Sequence, residues 1–276
     1  MKPDHLSDLF GRVNLSARVF HSGDLCRNAS FDGVDGCGHL HVLRRGHLKV
    51  IGDDGVALDL DEPFLLFYAR PVKHVLAIDA DSPPDIVCAS VEFSGGRTNP
   101  IASTLPPFIA VPLKRLSGLA ATLACLFEEG FNQRNGTRLI LDRLCEILVI
   151  QLLRVAIEDG EIKSGVLAGL MDPRISRAIM AIHGDPNQPW GLHKLAAMCN
   201  VSRSRFAVLF KRRVGMTVGE YLTNWRIYTA QERLRTGKSV KLVAQDVGYG
   251  SQSAFTRAFV GRIGMSPRAW MKLHCG

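Results

Sequence analysis

Long apolar runs are absent from the sequence. The nearest approach, Leu139 to Ile157, is broken by Asp142, Arg143, Glu146 and Arg154, whereas a membrane-spanning helix needs about 20 consecutive apolar residues. No membrane partner is expected. The opening MKPDHLSDLFGR contains no apolar stretch of the roughly 7–15 residues that a secretory signal requires, so the sequence predicts a cytoplasmic protein. Paired cysteines are missing as well. The 7 cysteines (Cys26, Cys37, Cys88, Cys125, Cys145, Cys199 and Cys275) are widely spaced and include no CxxC, which excludes the pattern of a secreted disulfide framework. Most should be buried thiols, with Cys125 and Cys145 in the core of helices. The phosphate-binding GxxxxGKS/T, the GxSxG elbow and HExxH are also absent, and with them the usual sequence support for nucleotide, acyl or zinc-peptidase chemistry. No catalytic residue is assigned, and the chain is expected not to be an enzyme.

Acidic residues are scarce in one part of the chain only. Of the 276 residues, 1–172 hold 17 Lys+Arg against 22 Asp+Glu, while 173–276 hold 17 against 4. The first part is thus −5 and the second +13. A short chain carrying +13 repels itself, and a polyanion relieves that repulsion by supplying counter-charge and releasing condensed ions. Duplex nucleic acid is therefore the first partner to consider. Hydrophobic residues at 46% and charged residues at 22% suit a globular protein with buried cores, and the length allows two domains of about 100–150 residues each.

From about residue 10 to 105 the sequence reads as short strands separated by FDGVDG, GDDG, ARP and DSPPD, a pattern of sandwiches and small barrels. HLHVLRRGHLKVIGDDG fits two strands in a hairpin, with Asp54-Gly55 as the turn. After TLPPFIAVP the period changes to that of helices: Leu116, Leu119, Leu123, Leu126 and Phe127, then a second helix over Thr137 to Ile157. Such a pair either caps the barrel or buries against another subunit. The polar, glycine-bearing EDGEIKSGVLAGLMDP marks a boundary, and beyond Pro173 only helical periods remain.

That last part repeats itself at an offset of about 48–49 residues. Leu195-Ala196 corresponds to Val243-Ala244, Phe206 to Phe255, Phe210 to Phe259, Gly215 to Gly264, and Met216-Thr217 to Met265-Ser266. Each copy reads as a short helix, a turn, and a second helix opened by a serine cap, Ser202 or Ser251. Two Phe residues four apart share one helical face and anchor it, leaving the opposite face free. This is helix-turn-helix spacing, in which the second helix offers its first turns to base edges. The exposed positions predicted are Arg203, Ser204, Arg205, Ala207, Val208 and Lys211 in one copy, and Gln252, Ser253, Thr256 and Arg257 in the other. Gln suits adenine, Arg suits guanine or phosphate, and Ser or Thr either. Lys211, Arg212, Arg213 and Arg262 are placed to grip phosphate.

The stretch from LHKLAAMCNVSRSRF to VAQDVGYGSQSAFTRAFVGRIGMSPRAWM resembles the DNA-binding domain of the AraC/XylS family of transcriptional regulators over nearly its full extent. The resemblance implies two helix-turn-helix subdomains joined by a long helix, here about Val218 to Leu234, that aims both recognition helices at major-groove segments about 10 base pairs apart. Ala207 and Val208 stand where the family often has larger polar residues, so the first copy is expected to read thymine methyls and shape. The N-terminal text is similar to cupin-like sensor domains joined to such readers. GVDGCGHLHVLRRG places His39 and His41 as in the first cupin motif, and ARPVKHVL places His74 as in the second. Alternation puts His39 and His41 on one face of a strand. His39, His41 and His74 with Cys26 or Cys88 would make a four-ligand, zinc-type divalent metal site. Arg45 and Gly46 stand where a metal-dependent cupin enzyme would carry a carboxylate. Cys26 and Cys88 occupy positions where some sensors of this group also carry cysteine, making them a candidate redox pair.

The fold class expected is α+β multidomain: a cupin-like sensor barrel at 1–110, a helical pair at 111–158 as a candidate dimerisation element, a linker at 159–173, and an all-α AraC-type double helix-turn-helix domain at 174–276. The function expected is sequence-specific regulation of transcription, as an activator, with promoter DNA and RNA polymerase as partners, a second copy of the chain as a further one, and a small molecule, metal or oxidant as effector. The alternatives are a cupin-type metal-dependent enzyme with an appended DNA reader and an architectural protein that bends DNA without reading it.

Overall fold

The structure, a computed structural model, describes residues 4–33, 36–79, 81–96, 99–132 and 134–274; Cys275 and the middle of the FDGVDG turn lie outside them. The chain divides into two compact units. A sheet unit comprises Val13–Gly96 and Leu105–Glu161, and a helical unit comprises Met1–Arg12, Arg97–Thr104 and Ile162–Gly276.

In the sheet unit nine strands follow one another among the described residues: β1 (Leu15–Asp24), β2 (Ala29–Phe31), β3 (Gly38–Arg45), β4 (Leu48–Gly52), β5 (Ala57–Leu60), β6 (Phe64–Tyr68), β7 (His74–Ala77), β8 (Asp85–Phe93) and β9 (Ile109–Pro112). They form a five-stranded sheet in the order β1-β8-β3-β6-β9 and a four-stranded sheet in the order β2-β7-β4-β5. Leu43, Leu48, Val50, Leu60, Leu66, Leu76 and Ile86 are packed together as its core. The pairing around residue 46 corrects the sequence reading. β3 pairs with β6 and β8, and the hairpin partner of β4 is β5, across Asp54-Gly55. The chain changes sheets at Gly46 (φ +92), where a Cβ would lie 2.8 Å from the Pro84 Cα. Only glycine tolerates both that angle and that approach.

The helical pair is α2 (Ala120–Phe131) and α3 (Thr137–Glu158). α3 packs on β1, and its buried residues include Leu141, Cys145, Leu148, Val149 and Leu152. β1 is an edge strand, and α3 blunts that edge: the backbone N–H of Val19 donates to Asp142 Oδ1 (2.6 Å) and that of Ala17 to Glu146 Oε1 (3.3 Å). The pair therefore caps the sheet, as one of the two sequence alternatives had it. Cys145 is buried as expected, but Cys125 is exposed, because α2 buries the face of Leu123, Leu126 and Gly130.

The helical unit contains α1 (His5–Phe10), α4 (Val166–Met171), α5 (Ser176–Gly184), α6 (Leu192–Met198), α7 (Arg203–Val214), α8 (Val218–Arg235), α9 (Val240–Asp246), α10 (Gln252–Ile263) and α11 (Pro267–His274). Two features depart from the expected domain limits. Residues just before Val13 belong to this unit: the Tyr228 hydroxyl donates to the Arg12 carbonyl (3.0 Å), and Arg12 donates to the His183 carbonyl (3.2 Å). The stretch 159–173, expected as a linker, holds α4, whose Val166, Leu167 and Leu170 are buried. Its Gly169 lets α4 approach so closely that a Cβ would stand 2.6 Å from Ile179 Cδ1 and 2.9 Å from Val214 Cγ2.

The internal repeat survives in atomic detail. Ser202 caps α7 by accepting from the Arg205 N–H, and Ser251 caps α10 by accepting from the Ala254 N–H. Both helices end on a glycine at φ +83, Gly215 and Gly264, the left-handed conformation that glycine adopts most readily. Phe206 and Phe210 lie 5.7 Å apart in one copy, Phe255 and Phe259 5.6 Å in the other, and all four are buried. α8 opens with a capping box between Thr217 and Glu220.

Replacing Phe255 with Ala is expected to destabilise the helical unit by about 3–5 kcal/mol, the range for truncating a buried aromatic, with urea unfolding as the readout. An unchanged midpoint would mean that this ring does not hold α10 in place.

Candidate functional site

Burial of the Phe pairs turns the opposite faces of α7 and α10 outward. On α7, Arg203, Ser204, Arg205 and Lys211 are exposed, Ala207 is half-buried, and Val208 is 68% exposed. An apolar side chain so open on a helix surrounded by arginines has no partner to pack against within its own helix. On α10, Gln252, Ser253 and Arg257 are exposed and Thr256 is half-buried. All the residues expected from the repeat spacing thus lie on accessible faces. Beside α7, a cleft of about 470 Å³ is lined by Arg174, Ser204, Arg205, Val208, Leu209 and Arg212.

Arg213 plays another part. Its Nε donates to Asp172 Oδ2 (2.9 Å), which also receives Arg174 Nη2 (2.5 Å), while Arg174 Nε reaches Asp172 Oδ1 (2.8 Å). The hydrogen bonds from Arg174, then those from Arg213, pull the Asp172 carboxyl down to about 2 against the opposing effect of burial. Arg213 therefore ties the end of α7 to the C-terminus of α4, and of the basic residues near the end of α7, Lys211 and Arg212 are the exposed ones. Nothing in the spacing singled out Asp172; the contact spans 41 residues.

In the sheet unit the three histidines singled out by their motifs converge. His39 and His41 on β3 and His74 on β7 are all buried. His74 Nδ1 lies 2.7 Å from the Val72 carbonyl, His41 Nε2 lies 3.0 Å from His74 Nε2, and His41 Nδ1 lies 3.2 Å from Cys88 Sγ. The carbonyl can only accept, and with both imidazoles neutral this assigns every proton in the row. His74 Nδ1–H donates to Val72, His41 Nε2–H donates to His74, and the Cys88 S–H donates to His41. Such a row requires neutral imidazoles and a neutral thiol. Burial supplies both conditions: it drives His41 well below its usual range, with His74 and His39 adding to the effect, and it pushes the Cys88 thiol up.

Rings close around this row. His74 is stacked between Phe31 (4.6 Å) and Tyr68 (4.1 Å), Phe31 also lies 4.5 Å from His39, and Tyr68 meets Phe108 at 5.8 Å. Burial pushes the Tyr68 phenol up to about 12. Neither Phe31 nor Tyr68 carried a sequence signal, since aromatic residues in strands are ordinary core.

The four-ligand set of Cys26, His39, His41 and His74 is not assembled. Cys26 is exposed and its thiol donates to the Asp24 carbonyl (3.7 Å). Cys88 sits at the far nitrogen of the His41 ring from His74, so one metal ion cannot take both Cys88 and the His41 Nε2 side. Among the described residues no group of three or more His, Cys, Asp or Glu has metal-binding geometry. As arranged, these residues do not fit a zinc-type tetrahedron. Cys26 and Cys88 are both free thiols, one exposed and one buried.

The combination of a strand-rich N-terminal unit and a duplicated helix-turn-helix unit defines a DNA-binding regulator with an attached cupin module. A cupin family model matches residues 4–158, and a helix-turn-helix domain model matches residues 195–273. A putative AraC-like transcription regulator of Streptomyces antibioticus is 31% identical over 84% of this chain and 86% of its own length, and one of Streptomyces lividans is 37% identical over the same shares. The RCS-specific HTH-type transcriptional activator RclR of Escherichia coli is 24% identical over 82% of this chain and 81% of its own. The chain belongs to the AraC-like family of transcription regulators and is a DNA-binding protein of that kind. Among the described residues no helix is long and apolar enough to cross a membrane.

The His41 environment gives stability a pH dependence. Because its folded-state value lies well below that of the unfolded chain, about 6.5, acid protonates the unfolded state first and stability falls as pH drops below about 6.5. Between pH 6.5 and 5 this one group is expected to lower stability progressively. A series of unfolding curves over that window checks it, with His41→Leu flattening the slope; equal slopes in the two proteins would remove the assignment.

Proposed function

We propose that α7 and α10 each enter a major groove of promoter DNA. Arg203, Ser204, Arg205, Ala207 and Lys211 contact one segment, and Gln252, Ser253, Thr256 and Arg257 the next. The observation that carries this reading is the exposure of these residues opposite two buried Phe pairs, in a region of +13 charge. Exposed Val208 adds an apolar surface for a thymine methyl. The chain works as a regulator rather than an enzyme, in the cytoplasm, with RNA polymerase as a partner.

Binding should be tested with a duplex enriched by the full-length chain from a randomised oligonucleotide pool. Gln252→Ala or Arg257→Ala is expected to weaken binding to that duplex and relax base preference at one position by about 1–3 kcal/mol. Equal losses on enriched and random DNA would make these residues backbone contacts.

The sheet unit is the sensor in this proposal, and its receiving centre is the neutral row of Cys88, His41 and His74 with His39 beside it. Any agent that takes a proton from the row or adds one to it, including a divalent metal or an oxidant of thiols, breaks hydrogen bonds of this row. Zinc chloride and hydrogen peroxide, added separately, are the probes. At least one is expected to change affinity for the enriched duplex in the native chain and not in His74→Phe; no change with either would count against this centre. The exposed α3 residues Ile140 (42%) and Ile147 (46%), seven residues apart along one helix, with Leu139 (63%) next to Ile140, form the apolar stripe that a second copy covers in a dimer. Sedimentation velocity decides that point.

A further inference from the structure

Two helix-turn-helix subdomains on a single connecting helix can swing relative to one another unless a second contact braces them. α8 carries such a contact at its middle. Arg226 Nε donates to the Pro186 carbonyl (2.8 Å) and Arg226 Nη2 donates to the Gln188 carbonyl (3.0 Å). Both carbonyls belong to the loop between α5 and α6, which leads into the first helix-turn-helix. The same guanidinium lies over the Tyr249 ring, 5.7 Å from its centroid, and Tyr249 belongs to the turn between α9 and α10 of the second.

The two segments also meet directly. At Gly248 (φ +84) a Cβ would stand 2.6 Å from the Asn187 carbonyl oxygen and 2.7 Å from Arg226 Nη2. A glycine there lets the turn of one reader lie against the loop of the other. The loop holds its own shape, because Trp190 Nε1 donates to the Asp185 carbonyl (2.7 Å) and the Asn187 N–H to Asp185 Oδ1 (3.2 Å). The partners of Arg226 are carbonyls and a ring face rather than a carboxylate, so the contact depends on the planar, two-pronged geometry of arginine and not on charge alone. It is also half-buried, where such hydrogen bonds are less exchanged with water than at an open surface.

We propose that Arg226, seated against Gly248 and Tyr249, is a positioning residue that fixes the distance and angle between the two DNA-reading helices, and so sets the spacing between half-sites that the protein accepts. Arg226 touches no DNA in this role. It acts by making engagement of the second groove an intramolecular event at a defined geometry, which raises the effective concentration of that half for one spacing and lowers it for others. The proposal rests on both α7 and α10 reading DNA.

The test uses the full-length chain. A duplex enriched from a randomised pool by the native protein is compared with versions carrying one half-site only and with versions carrying 1, 2 or 3 inserted base pairs between the halves. The native chain is expected to lose affinity steeply with each insertion. Arg226→Ala should bind the single half-site about as well as the native chain, bind the uninterrupted duplex on the order of 10-fold more weakly, and tolerate the insertions. Arg226→Lys, which keeps the charge and most of the stem but loses the fork, should behave like Arg226→Ala in its spacing profile while melting close to the native temperature. A parallel fall in half-site and full-site affinity, with a lowered melting temperature, would reduce Arg226 to a folding residue and overturn the proposal. So would an Arg226→Ala spacing profile identical to the native one. Enrichment of a single half-site by the native chain overturns the proposal by another route, since the second helix would then not be reading. If the native chain enriches no duplex at all, the DNA-reading assignment itself falls, and that outcome is visible before any variant is made.

Discussion

Two phenylalanines four residues apart, twice over, are the constraint on which the DNA-reading half depends. A helix of about three turns has little stability of its own in water, so α7 and α10 exist as helices because Phe206 with Phe210, and Phe255 with Phe259, bury one face of each. That burial also fixes rotation about the helix axis. Once the rings are inside, Arg205 and Val208 on α7, and Gln252, Ser253 and Arg257 on α10, are outside. The serine caps and the glycine ends at φ +83 then set where each helix begins and stops. Recognition chemistry is thus a by-product of core packing, and the polar residues themselves contribute little to the fold.

The same logic runs in the opposite sense in the sheet unit, where polar side chains are inside. A buried imidazole is tolerable only when neutral and hydrogen-bonded. The row from Cys88 through His41 and His74 to the Val72 carbonyl meets both conditions with one arrangement of protons. Phe31 and Tyr68, stacked on either side of His74, keep water from it. A centre that is stable in only one protonation pattern has a built-in sensitivity, because few perturbations leave all its bonds intact.

Arginine has three distinct uses in the helical unit, and composition cannot tell them apart. Arg203, Arg205 and Arg257 are open to solvent. Arg174 and Arg213 neutralise the buried Asp172, and Arg213 thereby joins the end of α7 to the end of α4. Arg226 clasps two carbonyls and a ring to brace one subdomain against the other. The total charge describes the first group, the one that the proposed function turns toward a polyanion. The other two shape the surface on which that group stands.

Read alone, the sequence determined whatever depends on local spacing. The duplicated helix-turn-helix, its caps, the outward faces of α7 and α10, and the shared face of His39 and His41 all follow from periods of 3.6 or 2 residues, which a linear text preserves, while the connecting helix from Val218 followed from the family resemblance. The strand-rich character of the first part was legible for the same reason. What was not legible depends on which distant segments meet. Sheet membership parted β3 from β4, α4 was drawn into the core of a stretch that reads as linker, and residues before Val13 joined the helical unit. Cys88, not Cys26, came to lie against His41, and Asp172, Arg213 and Arg226 found partners across tens of residues. Those outcomes were left to the tertiary structure, because burial and hydrogen bonding between remote segments are settled by competition over the whole chain, and no local period records who wins it.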